Sequence, residues 1–233
     1  MALRSDGIRT EKKVLSVCAR LFLKNGYRQT TMQQILDTAE VSAGSFHNLF
    51  RTKDGVLVKL VEFMFDNQFR IARGAAGNKL PPLYIYAVET AIQLTITEMS
   101  DSLRDLYLEA YTCPESLRFI QNSTAKELHA IFGAYQPELS ENDFLALEYG
   151  SAGLMRGYMA NPCTADFPLE EKLRLFLTFA LRGYRVPEDE VAQTLAFVSG
   201  LDIRTLSKNI MADVFRSLAL HYDFSLAGLL PDE

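Results

Sequence analysis

The chain has 233 residues, 48% of them hydrophobic and 23% charged, with a net charge of −5; this is the balance of an ordinary globular protein whose core needs no disulfide or metal staple. The N-terminal MALRSDGIRT lacks the apolar segment of an export signal, and no stretch approaches the roughly 20 apolar residues of a membrane span. Cys18, Cys113 and Cys163 are isolated thiols without CxxC spacing, so reduced packing in a cytoplasmic protein is expected rather than a disulfide or metal site.

A first helix is expected from about Ile8 to Asn25. Val14, Leu15, Cys18, Leu21 and Phe22 form its buried side, and Gly26 is its left-handed C-terminal cap. Thr31 can cap a second helix and Gln34, three residues on, can reach back to complete a capping box. Met32, Ile35, Leu36 and Ala39 give that helix one narrow apolar face of about two turns. The chain turns at Glu40 and Val41, and Ser42 caps a third helix with Phe46, Leu49 and Phe50 as its inward stripe. Outward remain Ala43, Gly44, Ser45, His47 and Asn48, small or hydrogen-bonding groups that would let a groove floor approach closely. Arg51 and Lys53 follow where they can meet phosphates.

Charge divides along the chain in the same sense. Residues 1–53 hold nine lysines and arginines against four acids, a net +5, which leaves −10 for the remainder. A basic end suits a polyanion, while the acidic body opposes wrong orientations. From geometry alone, two capped helices joined by a short turn also occur in many helical proteins that bind no nucleic acid.

Gly26, Thr30-Thr31-Met32, Ile35, Val41-Ser42, Gly44, Phe50, Lys53 and Leu57 stand where the TetR family of bacterial transcriptional regulators has its N-terminal signature. The chain resembles that family from roughly Ile8 to Leu60. The resemblance implies a DNA-facing set of Thr31, Gln33, Ser42, Ala43, Gly44, Ser45, His47, Asn48 and Lys53, with Gln33 and Asn48 the best placed to pair with adenine. Departures fall at Glu40, where the family has glycine, at Phe46, where it has leucine or isoleucine, at Leu49, and at His47, where it has a phosphate-contacting tyrosine.

Lys53 or Asp54 opens a longer helix through Val56, Leu60, Phe63 and Met64, and on to Ile71, ending near Gly74 to Gly77. It joins head to body, as a path for a signal or as a plain connector. Further helices are expected from Pro81-Pro82 to about Met99, from a cap at Asp101 or Ser102 to Tyr111, from Pro114 to about Tyr135, and from Ser140 to about Ala160. Pro168 with Glu170-Glu171 opens another to Tyr184, and Pro187 with Glu188-Asp189-Glu190 a last one to about Tyr222, either continuous or broken near Gly200. No run alternates as a strand would. The expected fold is all-α, with a three-helix DNA-binding head at 1–53, a joining helix at 54–76, and a ligand-binding and dimerisation domain at 77–233.

Two body helices carry more apolar surface than one domain uses. Gly150, Gly153 and Gly157 share a face that admits a close neighbour, and Leu173, Phe176, Leu177, Ala180 and Leu181 belong to a helix apolar nearly all round. Together they read either as a symmetric four-helix dimer interface, which the resemblance also implies, or as a well-buried pair in a large monomer. The resemblance further implies a small-molecule pocket in the body. Phe63, Tyr86, Gln93, Tyr107, Tyr111, Asn122, His129, Glu148 and Arg156 are the large or polar residues best placed to line one, though each taken singly reads more readily as ordinary core or surface. Arg156 suits an acidic ligand, a salt bridge or a dimer contact alike.

His47, His129 and His221 have no metal-ligand partner at helical spacing, and GxSxG, HExxH and phosphate-loop patterns are absent, so no enzyme activity and no cofactor are expected. The reading is a cytoplasmic, dimeric, ligand-released repressor whose partners are a pseudo-palindromic double-stranded DNA operator, its own second copy and a small-molecule effector, with no membrane. The competing readings are an all-helical protein-interaction adaptor and an activator without a ligand.

Overall fold

Gly26 is where the first helix stops. Its φ of 85° lies in the region open to glycine, and its N–H donates to the Phe22 carbonyl at 2.9 Å, closing the last turn of α1 (Ala2–Asn25). The structure, a computed structural model, describes residues 2–75 and 80–222, with side chains at 6–65 and 80–221. After α1 come α2 (Met32–Ala39), α3 (Ala43–Phe50), α4 (Lys53–Ala75), α5 (Pro82–Ile96), α6 (Asp101–Ala110), and α7 (Pro114–Phe132) with a 3-10 turn at Gly133–Tyr135. They continue as α8 (Glu141–Ala160), α9 (Leu169–Gly183), α10 (Glu188–Ser199) and α11 (Ile203–Tyr222). Among the described residues there is no strand, and the fold is all-α. The expected division near residue 77 and the side chain of Ile71 lie outside the described residues.

The helix ends follow local chemistry. α6 is capped one residue earlier than expected, by Ser100, whose hydroxyl accepts from the Leu103 N–H at 3.2 Å. Ser140 and Asp143 form a reciprocal capping box on α8. The last helical stretch does break at Gly200, and Asp202 restarts it by accepting from the Thr205 N–H at 3.1 Å.

α5 is the axis of the body. Twelve of its residues are buried, because apolar side chains circle it and α4, α7, α8, α9, α10 and α11 all pack on it. Its buried hydroxyls cost little, since Thr90 and Thr95 donate to the Tyr86 and Ala91 carbonyls one turn back at 2.9 and 2.7 Å. At the C-terminal end of α5, Glu98 ties three elements together. It accepts from the fully buried Lys172 of α9 at 2.5 Å, from Arg104 of α6 at 3.0 Å and from the Cys163 N–H at 3.0 Å. This bonding, led by Lys172, holds the Glu98 carboxyl below the usual range against the opposing effect of its burial.

The α8–α9 pair corrects part of the sequence reading. Leu173, Phe176, Leu177, Ala180 and Leu181 are all buried within the single chain, on the stripe of α9 that faces the core, so they are not free for a second copy. A helix has one inward stripe, and these five occupy it. The opposite stripe carries Leu175 and the exposed Phe179, beside Tyr149, Gly150, Gly153 and Gly157 on the outer face of α8. None of these three glycines would meet another atom if given a Cβ, so the surface over them is open.

Candidate nucleic-acid interface

α2 and α3 are capped as their sequence dictates. Thr31 accepts from the Gln34 N–H at 3.2 Å while the Gln34 carboxamide accepts from the Thr31 N–H at 2.8 Å. Ser42 accepts from the Ser45 N–H at 3.1 Å. Ile35, Ala39, Phe46 and Phe50 turn inward against Val14, Cys18 and Phe22 of α1 and against α4. Leu49 and Met32 do not join that stripe fully and stay partly exposed at its edges. Burial among these apolar groups pushes the Cys18 thiol up to about 12, so it stays protonated and packs as a small apolar residue.

The two departures at the turn have structural answers. Glu40 takes the left-handed conformation, φ 50° and ψ 47°, that glycine would enter freely. Its carboxylate is bonded to Lys13 of α1 at 2.7 Å, and that bond lowers its pKa. The side chain thus gains a partner that glycine would lack. His47 leans back along its own helix, with Nδ1 3.1 Å from the Arg51 carbonyl.

The face of α3 formed by Ala43, Gly44, Ser45, His47 and Asn48 is exposed as a patch. Thr31 and Gln33 of α2 are exposed too, though the Gln33 amide donates to Asp37 at 2.7 Å, so that bond must open before both ends of the carboxamide can meet a base. Lys53 is not the free phosphate arm that its spacing predicts. It is half-buried, lies 4.0 Å over the Tyr27 ring, and donates to the Tyr27 and Thr30 carbonyls, each at 2.9 Å. Two of its three N–H groups are thereby spent on the turn that joins α1 to α2, leaving one for a phosphate. Desolvation is the main cause lowering its pKa.

The joint between α3 and α4 is tight. A Cβ at Gly55 would lie 2.1 Å from the Phe50 carbonyl oxygen, so the bare glycine is what lets α4 start directly beneath the end of α3. On the far side of the head, Arg28 meets α6. Its N–H donates to Asp105 at 2.8 Å, and its guanidinium lies 3.3 Å from Glu109 and 3.5 Å from Asp105. Sequence inspection missed this link, because i, i+4 acids on one helix announce no partner 77 residues away.

In the body, two small cavities of about 40 Å³ each share Gln93 and Tyr111. The Tyr111 hydroxyl donates to Gln93 at 3.1 Å. The apolar lobe is lined by Leu57, Leu60 and Met64 of α4 and by Leu106, Tyr107 and Ala110 of α6. The polar lobe is lined by Tyr86, Glu89, Thr90, Glu127, Glu148 and Ser151, among others. Glu148 is buried and receives a hydrogen bond from Ser151, and desolvation raises its pKa to about 7.

Of the expected lining residues, Tyr86, Gln93, Tyr107, Tyr111 and Glu148 come together around these lobes. Four others do not. Asn122 is exposed; Arg156 is exposed and donates to the Thr112 hydroxyl at 3.0 Å; His129 packs its ring 5.2 Å from Phe144; Phe63 packs 5.0 Å from His221. Each sits on a helix that reaches a cavity but is not among the residues that line it. Glu89 was overlooked, although a lone acid inside the apolar run YAVETAIQL was the available signal.

A basic head with two capped helices and an open face on the second, carried on a large helical body, defines a helix-turn-helix protein. Residues 14–60 match the sequence profile described as bacterial regulatory proteins, tetR family. The chain is 26% identical over 180 residues to the HTH-type transcriptional regulator QacR of Staphylococcus aureus (strain Mu50 / ATCC 700699), a match spanning 72% of this chain and 93% of that protein. It is 29% identical over 59 residues to YuxN of Bacillus subtilis (strain 168), described as an uncharacterized HTH-type transcriptional regulator, which spans 25% of this chain and 20% of that protein. A crystal structure of a gamma-butyrolactone receptor (ArpA-like protein) aligns with 89% of this chain and 99% of its own at 16% identity, with a TM-score of 0.44. Over residues 14–60 the chain thus carries a head similar to that of the tetR family of bacterial regulatory proteins, and along most of its length it is similar to a transcriptional regulator. No helix among the described residues is long and apolar enough to cross a membrane.

Proposed function

We propose that this regulator is a cytoplasmic homodimeric repressor that reads a pseudo-palindromic operator through the exposed face of α3 and is released by a small molecule entering the body. The observation that carries the reading is the double role of α6. One face of this helix, with Leu106, Tyr107 and Ala110, lines the apolar lobe. The other face, with Asp105 and Glu109 one turn apart, holds Arg28 of the head.

The size of the cavity turns that arrangement into a mechanism. Lobes of about 40 Å³ admit a little water, whereas a pocket for a drug-sized ligand occupies roughly 300 Å³ or more. An effector therefore has to part Tyr111 from Gln93, merge the lobes and push on α4 or α6. Both helices reach the head, so effector and operator favour different placements of it. By linkage, DNA then weakens effector binding by the same factor as effector weakens DNA binding.

The dimer in this reading uses the outer stripe, with Phe179 and Leu175 packed over the glycine face of α8 of the second copy. Phe179 and Tyr149 are 61% and 57% exposed in the single chain, which leaves large apolar side chains to cover. Two heads held by such an interface read two half-sites about one helical turn apart.

The test begins with selection of bound fragments from the host's own DNA, followed by screening of metabolites for release. Recovery of one preferred inverted-repeat site that survives moderate salt, and its release by a compound that itself binds more weakly in the presence of operator, is the expected result. Binding that vanishes at moderate salt without sequence preference would favour the adaptor reading. Independent binding of effector and operator would remove the release mechanism, and a monomer mass in light scattering at micromolar concentration would remove the dimer.

A further inference from the structure

His47 is the recognition-helix residue whose hydrogen-bonding capacity is fixed by a neighbour. Its Nδ1 lies 3.1 Å from the carbonyl oxygen of Arg51. A carbonyl only accepts, so Nδ1 carries a hydrogen. A neutral imidazole has a single N–H, and with that hydrogen on Nδ1 the outer nitrogen, Nε2, presents a bare lone pair. Phosphate oxygens are acceptors too. The neutral ring therefore meets a phosphate lone pair to lone pair, and only the doubly protonated ring offers it a donor, together with a positive charge.

The Arg51 carbonyl is itself held in place. Arg51 has φ 61° and ψ −50°, and the Thr52 N–H donates to the Phe50 carbonyl at 2.7 Å across it, a three-residue γ-turn of a strained kind. The other tautomer would release the imidazole from this turn. The tether also draws the ring toward the C-terminal end of α3, beside Arg51. Recognition helices enter the groove by their N-terminal residues, so that end lies along the groove wall, where the phosphates are.

The charged groups of α2 and of the start of α4 are engaged with other partners. On α2, Asp37 accepts from Gln33 at 2.7 Å and Glu40 is bonded to Lys13 of α1 at 2.7 Å. On α4, Asp54 accepts from the Tyr27 hydroxyl and Lys53 is turned to the Tyr27 and Thr30 carbonyls. Arg51 lies on the same turn as His47. Among the described residues, no carboxylate is bonded to the ring.

From this geometry, and resting on the reading of α3 as the DNA-contacting helix, we propose that His47 meets the DNA backbone as an imidazolium, so that each head takes up a proton when it docks. Histidine changes charge between pH 5 and 8. Contact with phosphate raises the affinity of the ring for its proton, so the contribution to DNA binding is fully present at low pH and is lost as pH rises through the value of the bound state. A regulator built this way grips its site more tightly when the cell acidifies.

The test uses the full-length protein and a duplex selected from a random pool by the wild type at pH 6. Affinity is then measured at pH 6, 7 and 8 at fixed ionic strength for wild type, His47→Gln and His47→Tyr. Wild-type affinity should fall several-fold per head between pH 6 and 8. His47→Gln should be weaker and flatter with pH. His47→Tyr should bind with wild-type strength at pH 6 and keep it at pH 8, because a phenol donates throughout. A wild-type slope equal to that of His47→Gln overturns the proposal. So does an affinity that rises with pH, which would mark the neutral Nε2 as an acceptor for an adenine or cytosine amino group. Failure to recover any duplex would overturn the DNA-contacting reading itself, and this proposal with it.

Discussion

The head and the body of this protein are held together by different physics. In the head, short helices are fixed by named polar bonds. Thr31 with Gln34, Ser42 with Ser45, Glu40 with Lys13 and Lys53 with two carbonyls each set one backbone position. In the body, α5 is wrapped by apolar contact on all sides, with small cavities left between the layers. A surface that reads DNA must hold its donors in place, which directional bonds do well. A chamber that accepts a ligand must be able to move, which non-directional packing around a void permits.

The body nevertheless contains one rigid polar point, and breaking it should have the largest effect. Lys172→Met removes the buried partner of Glu98 and leaves that carboxylate to Arg104 and a backbone N–H. A loss of about 3 kcal/mol is expected in urea denaturation, at the lower end for a broken buried pair because Arg104 remains. A loss under about 1 kcal/mol would mean that the body relies on apolar packing alone.

Glu148→Gln tests the opposite, a buried carboxyl without a counter-charge at hydrogen-bonding distance. Its pKa is raised from 4.5 in the unfolded chain to about 7 in the fold, so the folded state favours the neutral form. The sign follows: stability is greatest below 4.5, falls as pH rises from 4.5 to 7 and is level above. Glutamine has no such titration. At pH 8 the variant should be more stable than wild type by roughly 3 kcal/mol at most, and the difference should close toward pH 4. A constant difference across that range would place the carboxyl in solvent.

In the head, Thr31→Ala removes the hydroxyl of the capping box. About 1 kcal/mol of stability should go, read as a shift of the urea midpoint with unchanged slope. The effect is smaller than at Lys172 because the N–H groups it exposes reach water. The comparison sharpens if Thr31→Ser restores most of the loss, since the bond and not the methyl group is what the head uses.

The same contrast explains what could be read in advance. Caps, the turn and the Gly26 stop are written within three or four residues of the atoms they fix, so the head was legible down to single hydrogen bonds. Helix order in the body was legible too, because Pro81, Pro114, Pro168 and Pro187 punctuate it, while the break at Gly200 was left open. What failed was azimuth. A helix apolar nearly all round, such as α9, does not say which stripe faces the core, so Leu173, Phe176, Leu177, Ala180 and Leu181 were placed at an interface while Phe179 is the residue left outside. Asn122 and Arg156 were misplaced for the same reason, being exposed on helices whose other residues line the cavity. Lys53 failed differently. Its position was right, but its partners Tyr27 and Thr30 come from a turn over 20 residues earlier, which periodicity does not reveal.

Where head meets body, the smallest structural change should have the most selective consequence. Arg28 is exposed, and its ion pairs with Asp105 and Glu109 are of the kind that contribute at most about 1 kcal/mol. Arg28→Ala should therefore leave the urea midpoint close to wild type. Affinity for operator without effector should change by no more than a few-fold, because Arg28 lies on the side of the head that faces α6. If α6 carries the signal, however, the ratio of operator affinities with and without effector should shrink, and the effector's own affinity should become less sensitive to operator by the same factor. The backbone bond from Arg28 N–H to Asp105 survives this change, so Asp105→Asn in the Arg28→Ala background should reduce the coupling further. Undiminished coupling in the double variant would move the signal to α4, the other helix that both lines the cavity and enters the head.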